Sequence, residues 1–407
     1  MSGTQSISTR CCVVGGGPAG MMAGYLLART GVDVVVLEKH ADFLRDFRGD
    51  TVHPSTLTVL DELGLLSRFL ERPHQQLQTV SASIEGKTFA LADFSRLKVA
   101  APFIVLMPQW DFLNFMAEEA RRLPNFRLLM STEGERLLIE NGTVTGVGAT
   151  AGSDSIAIRA RLVIAADGRH SVLRAAAGLP LETLSAPIDV LWFRISKADP
   201  WAEQSLGNLC KGRFLVTIDR GDYWQCAYVI PKGGADQLRT GSLAAFKETI
   251  VAVAPYLGPH IDDVAGWDDV KLLSVTVDRL QRWSRPGLLC IGDAAHAMSP
   301  IGGVGINMAI QDAVAAANIL SRALHRDEPP AESVLDQVRR RRLFPTRMTQ
   351  AAQVAIQNRV LVPTLAGVPL KVPLVLRLLD RFPALRGLPA RFIGIGVRPE
   401  HVMRYSP

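Results

Sequence analysis

Cysteine is scarce: five residues in 407, with no CxxC pair and no Cys/His spacing that would ligate a metal. Cys11 and Cys12 adjoin in an apolar run, and Cys210, Cys226 and Cys290 are scattered. That argues against a disulfide framework and a structural zinc site, and it fits a reducing cytoplasm. An apolar leader is also missing. The first ten residues, MSGTQSISTR, are polar, so no signal peptide is expected. The most lipid-like stretch, 360–379, is broken by Pro363, Pro369, Lys371, Pro373 and Arg377. No spanning helix is expected there; the stretch should cover a pocket, form a dimer contact or touch a membrane surface. Charge of one sign barely predominates. Lys+Arg 45 against Asp+Glu 39 leaves +6 over the whole chain, and the basic run 339–342 falls in a helical pattern. That run reads as a solvated helix face, so no nucleic-acid partner is expected. There is no GxSxG and hence no hydrolase nucleophile elbow.

Glycine, by contrast, stands in patterned places. Residues 11–14 read as a short buried strand, followed by Gly15-Gly16-Gly17-Pro18-Ala19-Gly20 and a helix over 18–29. Gly31 stops that helix, and residues 32–37 form a second buried strand ending at Glu38-Lys39. Gly15 permits the tight turn, Gly17 lets a pyrophosphate approach the backbone, and Gly20 lets the helix pack on the strand. The helix N-terminus offers N–H groups to phosphates. Glu38 stands where a carboxylate accepts hydrogen bonds from an unphosphorylated ribose, as in NAD or FAD. Further along, helices are expected over 56–70, 110–122 and 305–324. Strands are expected over 80–92, 104–107, 126–130, 135–139, 144–150, 162–166 and 288–291, with a hairpin at 152–154. Residues 185–280 are strand-rich and read as a separate sheet, and the remainder is helical and Pro-rich. At 48% hydrophobic and 21% charged the chain is globular. Roughly 150 residues per domain gives two or three domains.

Two further motifs follow buried strands: Ala166-Asp167-Gly168-Arg169-His170-Ser171, and Gly292-Asp293-Ala294-Ala295-His296 with Pro300, Gly302, Gly303, Val304, Gly305 and Asn307 behind it. The three motifs, in this order and spacing, resemble the single-component (class A) FAD-dependent aromatic hydroxylases, whose type member is para-hydroxybenzoate hydroxylase. The resemblance spans residues 10–345. It implies an α/β fold: a Rossmann-like FAD-binding domain, an inserted mixed or antiparallel β-sheet substrate domain and a helical C-terminal cap. The expected divisions are 1–183 with 281–340 (a small sheet insertion near 75–105), 184–280 and 341–407. By comparison with the family, Arg48 and Gln109 contact the flavin nucleotide, and Pro300 lies beside the position where oxygen adds. Asp293 would accept hydrogen bonds from the ribityl hydroxyls, and the amides at 302–305 would face the flavin ring and favour its anionic reduced form.

One dinucleotide fingerprint and no second leave no separate nicotinamide domain. The resemblance therefore implies that NADPH or NADH docks transiently, with Arg45 and Arg48 as partners for its phosphates. O2 is the other co-substrate, and hydroxylation runs through a flavin C4a-hydroperoxide. No obligatory protein nucleophile and no metal are expected. On the strand-rich stretch, alternation puts Tyr223, Gln225 and Ala227 on one face and Trp224, Cys226 and Tyr228 on the other. Pro231, matched to the family's strand-ending proline, turns the first set toward the pocket. Gln225 and Ala227 depart from the arginine or tyrosine that family members for acidic phenols carry there, which favours a larger, more neutral aromatic or polyketide-like phenol. Trp192 and Arg194 are further pocket candidates, and His53 is either a proton shuttle or a structural histidine. Rival readings are a same-fold epoxidase, Baeyer–Villiger-type oxygenase or oxygen-independent reductase, a halogenase, and a non-catalytic flavin module. Cys226 stands where a halogenase motif needs tryptophan. The expected assembly is a monomer or homodimer.

Overall fold

The structure is a computed structural model describing residues 5–44, 51–197, 206–210, 212–368 and 372–403. Its centre is an eight-stranded sheet. Along one path the strands run Ser284–Arg285, Leu288–Cys290, Asp154–Ala165, Gln5–Val14, Val34–Leu37 and Phe126–Leu129. The central pairings are parallel. Such strands are covered on both faces, so they read as continuous apolar runs; Val34–Leu37 is buried throughout. The helix Pro18–Arg29 packs on this sheet with Ala19 to Ala28 all buried. Gly24 is required there, because a Cβ would stand 2.6 Å from Val36.

The first strand begins at Gln5, not residue 11, and the strand ending at Ala165 begins at Asp154, not residue 162. Their outer halves alternate or are polar, so only the buried ends announce themselves. The expected helix over 56–70 is two, Pro54–Glu62 and Leu66–Leu70, because Gly64 turns the chain with φ +71°. Asn141-Gly142, both left-handed, closes a hairpin between Thr132–Glu140 and Thr143–Ala151 that was not foreseen.

The second sheet has seven strands, in the order Lys271–Leu273, Ile188–Ser196, Tyr223–Pro231, Arg213–Asp219, Gly207–Cys210, Thr79–Ile84 and Lys87–Asp93. The last two were expected as a small insertion beside the nucleotide site. Instead they extend this sheet, through parallel pairing of Gly207, Asn208 and Leu209 with Ala82, Ser83 and Ile84. Only Gln75–Leu77 and Ile104–Leu106 join Thr51–Val52 in a separate three-stranded sheet. One face of the seven-stranded sheet carries Leu191, Phe193, Ile195, Trp224, Cys226 and Tyr228, packed under the helix Leu243–Val253.

Two long helices finish the fold, Gly305–Leu324 and Glu332–Ile356. The stretch Ile301–Leu324 is long and apolar enough to cross a bilayer, but 72% of its apolar window is buried in the protein core. The run 339–342 is only partly the solvated face expected. Arg340 is exposed, yet Arg342 is 1% exposed and ion-paired inside the protein.

Candidate active site

At the end of the first strand Gly15 has φ +108°, and a Cβ on it would stand 2.3 Å from Ala166 O. The fingerprint loop and the Ala166-Asp167-Gly168 loop therefore touch, and glycine alone permits it. Gly20 likewise would meet Gly15 O at 1.9 Å. Gly17 differs: it precedes the helix with extended backbone, and nothing lies within 4 Å of a Cβ built on it. Pro18 takes the first helical position and Ala19 is buried. Glu38 is 8% exposed; its Oε2 accepts from Gly16 N–H at 3.0 Å and its Oε1 from His40 N–H at 3.1 Å. The carboxylate is thus fixed beneath the loop, and it uses the Gly16 amide that a phosphate would otherwise take. Lys39 turns outward to Glu133 at 3.7 Å. Gln109 opens the helix Gln109–Arg121, half-buried. Arg45 and Arg48 lie outside the described residues.

The other end is built by two strand termini and a helix start. Asp167 is largely buried, which raises its carboxyl pKa, while bonds from Ser171 and Leu173 pull the other way. Its Oδ1 is buried with no donor among the described residues. Gly168 (φ +87°) again has open space where a Cβ would be. Gly292 packs against Ala19 and Ala309, and its N–H is taken by Asp312 Oδ2 at 3.0 Å, so its place is structural. Asp293 remains one-third exposed, with Arg169 at 3.7 Å. Pro300 then leads into Ile301–Gly303, where Gly302 and Gly303 are left-handed (φ +80° and +63°). A Cβ on Gly303 would stand 2.4 Å from Thr51 Oγ1. Val304 precedes the helix, and Gly305 faces open space. Asn307 is spent on the protein. Its Oδ1 accepts from His53 N–H at 2.9 Å and Thr56 Oγ1 at 2.8 Å, and its Nδ2 donates to Thr51 O at 3.2 Å. It clamps the helix start to residues 51–56 and has little left for a cofactor.

Paired residues share a face of the seven-stranded sheet, and the pairs are Trp192 with Ala227, Arg194 with Gln225 and Ser196 with Tyr223. Tyr223, Gln225 and Ala227 thus lie on the face opposite the Leu243–Val253 helix, together with Trp192 and Arg194. Ile301 packs into the apolar cluster of that face beside Val190, Ala227 and Val229. The face therefore abuts the Pro300 turn. Trp192 sits between two apolar clusters, its indole N–H buried and without a partner among the described residues. Arg194 stacks over the Tyr223 ring at 4.2 Å near the sheet margin. Gln225 is buried and accepts two bonds from Arg220, at 3.1 and 3.0 Å. Arg220 brings a second guanidinium to this face, beside that of Arg194. His53 is fully buried, and its Nδ1–H donates to Ile393 O at 2.9 Å. Burial lowers its pKa to about 4, so the ring is neutral and, with no exposure, does not shuttle protons with solvent.

Comparison with known proteins decides what this geometry serves. A profile described as "FAD binding domain" matches residues 8–352. The chain is 34% identical over 382 residues to a 6-methylpretetramide 4-monooxygenase of Streptomyces rimosus, covering 93% of this chain and 91% of the relative. The chain belongs to the class A FAD-dependent aromatic monooxygenases. A dialkyldecalin synthase of Streptomyces rugosporus is 27% identical over 81% of this chain and 68% of its own length. In fold, the crystal structure of a probable FAD-dependent monooxygenase from Pseudomonas aeruginosa superposes with TM-score 0.74 at 24% identity, over 89% of this chain and 99% of that one.

This monooxygenase binds FAD, and the residues present fit it. Gly17, Gly168 and Gly305 leave open space at successive points from the fingerprint loop to the helix start. Asp167 Oδ1 is an acceptor with no donor among the described residues, and Asp293 is one-third exposed. Three supports went unread in the sequence. Arg174 donates to Arg169 O at 2.8 Å and Ala294 O at 3.2 Å, tying the second motif to the third. Gln350, Gln353 and Gln357 stand at i, i+3 and i+7 on the last long helix and its continuation, and bond the backbone or side chains of residues 297–301. Asp312 accepts from Gly292 N–H, His296 Nε2 at 2.6 Å and Arg342 Nε at 2.9 Å. Burial alone would raise the Asp312 pKa, but His296 and Arg342 outweigh it and hold the carboxyl below its usual range. The i, i+3, i+7 glutamine spacing was a visible signal; the Asp312 cluster joins residues distant in sequence.

Proposed function

We propose that this monooxygenase hydroxylates a polycyclic, phenol-bearing aromatic compound of polyketide type: ArH + O2 + NAD(P)H + H+ gives ArOH + H2O + NAD(P)+. The observation that carries the substrate class is the sheet face at the Pro300 turn. It is apolar across Trp192, Val190, Val216, Ala227 and Ile301, and carries two guanidiniums, Arg220 braced by Gln225 and Arg194 stacked on Tyr223 near the margin. Such a face suits a broad ring system with an ionisable hydroxyl better than a small acid. The likeness to a 6-methylpretetramide 4-monooxygenase supports the same class.

FAD, when bound, supplies hydride acceptance and oxygen activation. This chain's residues supply placement. Gly17 admits the pyrophosphate and Glu38 faces the adenosine ribose. Asp167 and Asp293 take hydroxyls between the two ends, and the turn Pro300–Gly305 presents its amides to the ring. Arg220 stabilises the phenolate, which makes the ring carbon more electron-rich. The apolar face excludes water from the reacting edge. We place the enzyme in the cytoplasm, where its free cysteines stay reduced. The decisive experiment follows NADPH and NADH oxidation with a panel of hydroxylated polycyclic aromatics, with mass analysis of products. Stimulated oxidation and a gain of one oxygen support the proposal. Response only to small carboxylate-bearing phenols would overturn the substrate class.

A further inference from the structure

Most of the exposed large hydrophobic side chains lie beyond residue 343. Three of them lie in the helix Leu374–Arg381, and Phe382 directly follows it. Leu379 points inward at 9% exposed, and Leu376 packs against the cluster around Phe89. Leu374, Val375, Leu378 and Phe382 are 75%, 58%, 50% and 51% exposed. Their spacing of i, i+1, i+4 and i+8 makes one stripe. Single exposed leucines need no explanation, but a continuous stripe does. Leu388 and Phe392 continue exposed in the next helix.

The charge around the stripe is predominantly positive, with Asp380 paired to Arg386 at 3.8 Å. Residues 372–398 hold five arginines and one acid, Asp380. Between this helix and the strand Lys87–Asp93 lies a hollow of about 560 Å³, lined by Lys87, Phe89, Val372, Arg377, Asp380 and Arg381. Three cations on an apolar floor suit a phosphate headgroup with a chain beside it. A second copy of the protein would bring the same arginines face to face, which like-charge repulsion opposes.

We propose that this segment docks the enzyme on an anionic phospholipid surface. The leucine and phenylalanine stripe enters the acyl boundary, and the arginines stay among the headgroups. This goes beyond the hydroxylation and does not rest on it. The test is flotation of the FAD-loaded full chain with vesicles of phosphatidylcholine alone, or mixed equally with phosphatidylglycerol. Binding is expected to the mixed vesicles, weakening as salt rises. The double variant Leu374→Glu/Leu378→Glu should lose at least about tenfold in partitioning, with unchanged NAD(P)H oxidation in solution. Arg377→Glu/Arg381→Glu should remove the preference for anionic vesicles. Binding to neither vesicle, or equally to both, overturns the proposal. So does a dimer in sedimentation that Leu374→Glu/Leu378→Glu dissociates.

Discussion

The turn bearing Pro300 is held by a side chain, not by a sheet, and that makes Gln353 a sharp test. Its Oε1 accepts from Ser299 N–H at 3.1 Å, and its Nε2 donates to Ser299 O and Ile301 O, each at 2.8 Å. Gln353 is 3% exposed. Leucine has similar bulk and no polar atoms, so Gln353→Leu strands three buried main-chain groups. Each costs about 1–3 kcal/mol, and the added apolar burial returns about 2 kcal/mol, leaving a net loss of about 1–7 kcal/mol, centred at about 4 kcal/mol. Alanine instead opens a polar space that water can enter and bond, so Gln353→Ala should be the milder change. That order is the reverse of the one an apolar core gives. Urea unfolding of the FAD-loaded protein measures it. The fraction of NAD(P)H yielding hydroxylated product reports the turn's position and should fall most in Gln353→Leu. Equal stability of Gln353→Leu and wild type, or alanine worse than leucine, would refute the reasoning.

Other expectations follow from single sites. Gly17→Ala meets no atom within 4 Å among the described residues; unfolding of the FAD-free form should be nearly unchanged, while FAD affinity by fluorescence quenching falls at least about tenfold. His53 has a folded pKa of about 4, below its unfolded value near about 6.5. Its contribution is whole above the unfolded pKa and is lost as pH falls from there through about 4. It amounts to about 3 kcal/mol, and His53→Leu should flatten that limb of a stability–pH curve. Arg342→Met leaves Asp312 buried without its cation; a loss of about 3–5 kcal/mol is expected in denaturant unfolding.

What the sequence disclosed and what it hid follow one physical line. The glycine turns at 15–20 and 302–305 were legible because close backbone approach and tight turns admit few residue types. Strand ends such as Gln5 and Asp154 were hidden, since an exposed half-strand carries no apolar run. The place of the 79–93 hairpin in the seven-stranded sheet was hidden because edge pairing with Gly207–Cys210 is set by tertiary contact, not by pattern. The hydrogen bonds that tie His53 and Asn307 to the protein join residues distant in sequence and leave no local pattern. Arg220 was missed because its role depends on folding back to Gln225, five residues away across a turn. Arg342 was misread because a basic run gives no sign of which arginine turns inward to Asp312.

The central claim is hydroxylation with oxygen drawn from O2. The direct measurement supplies the FAD-loaded enzyme with NADPH or NADH, a phenolic polycyclic aromatic and 18O2, and weighs the product. One labelled oxygen per molecule, with one nicotinamide oxidised for each product, is the predicted result. Product that is reduced, rearranged or cyclised with no labelled oxygen would contradict the account.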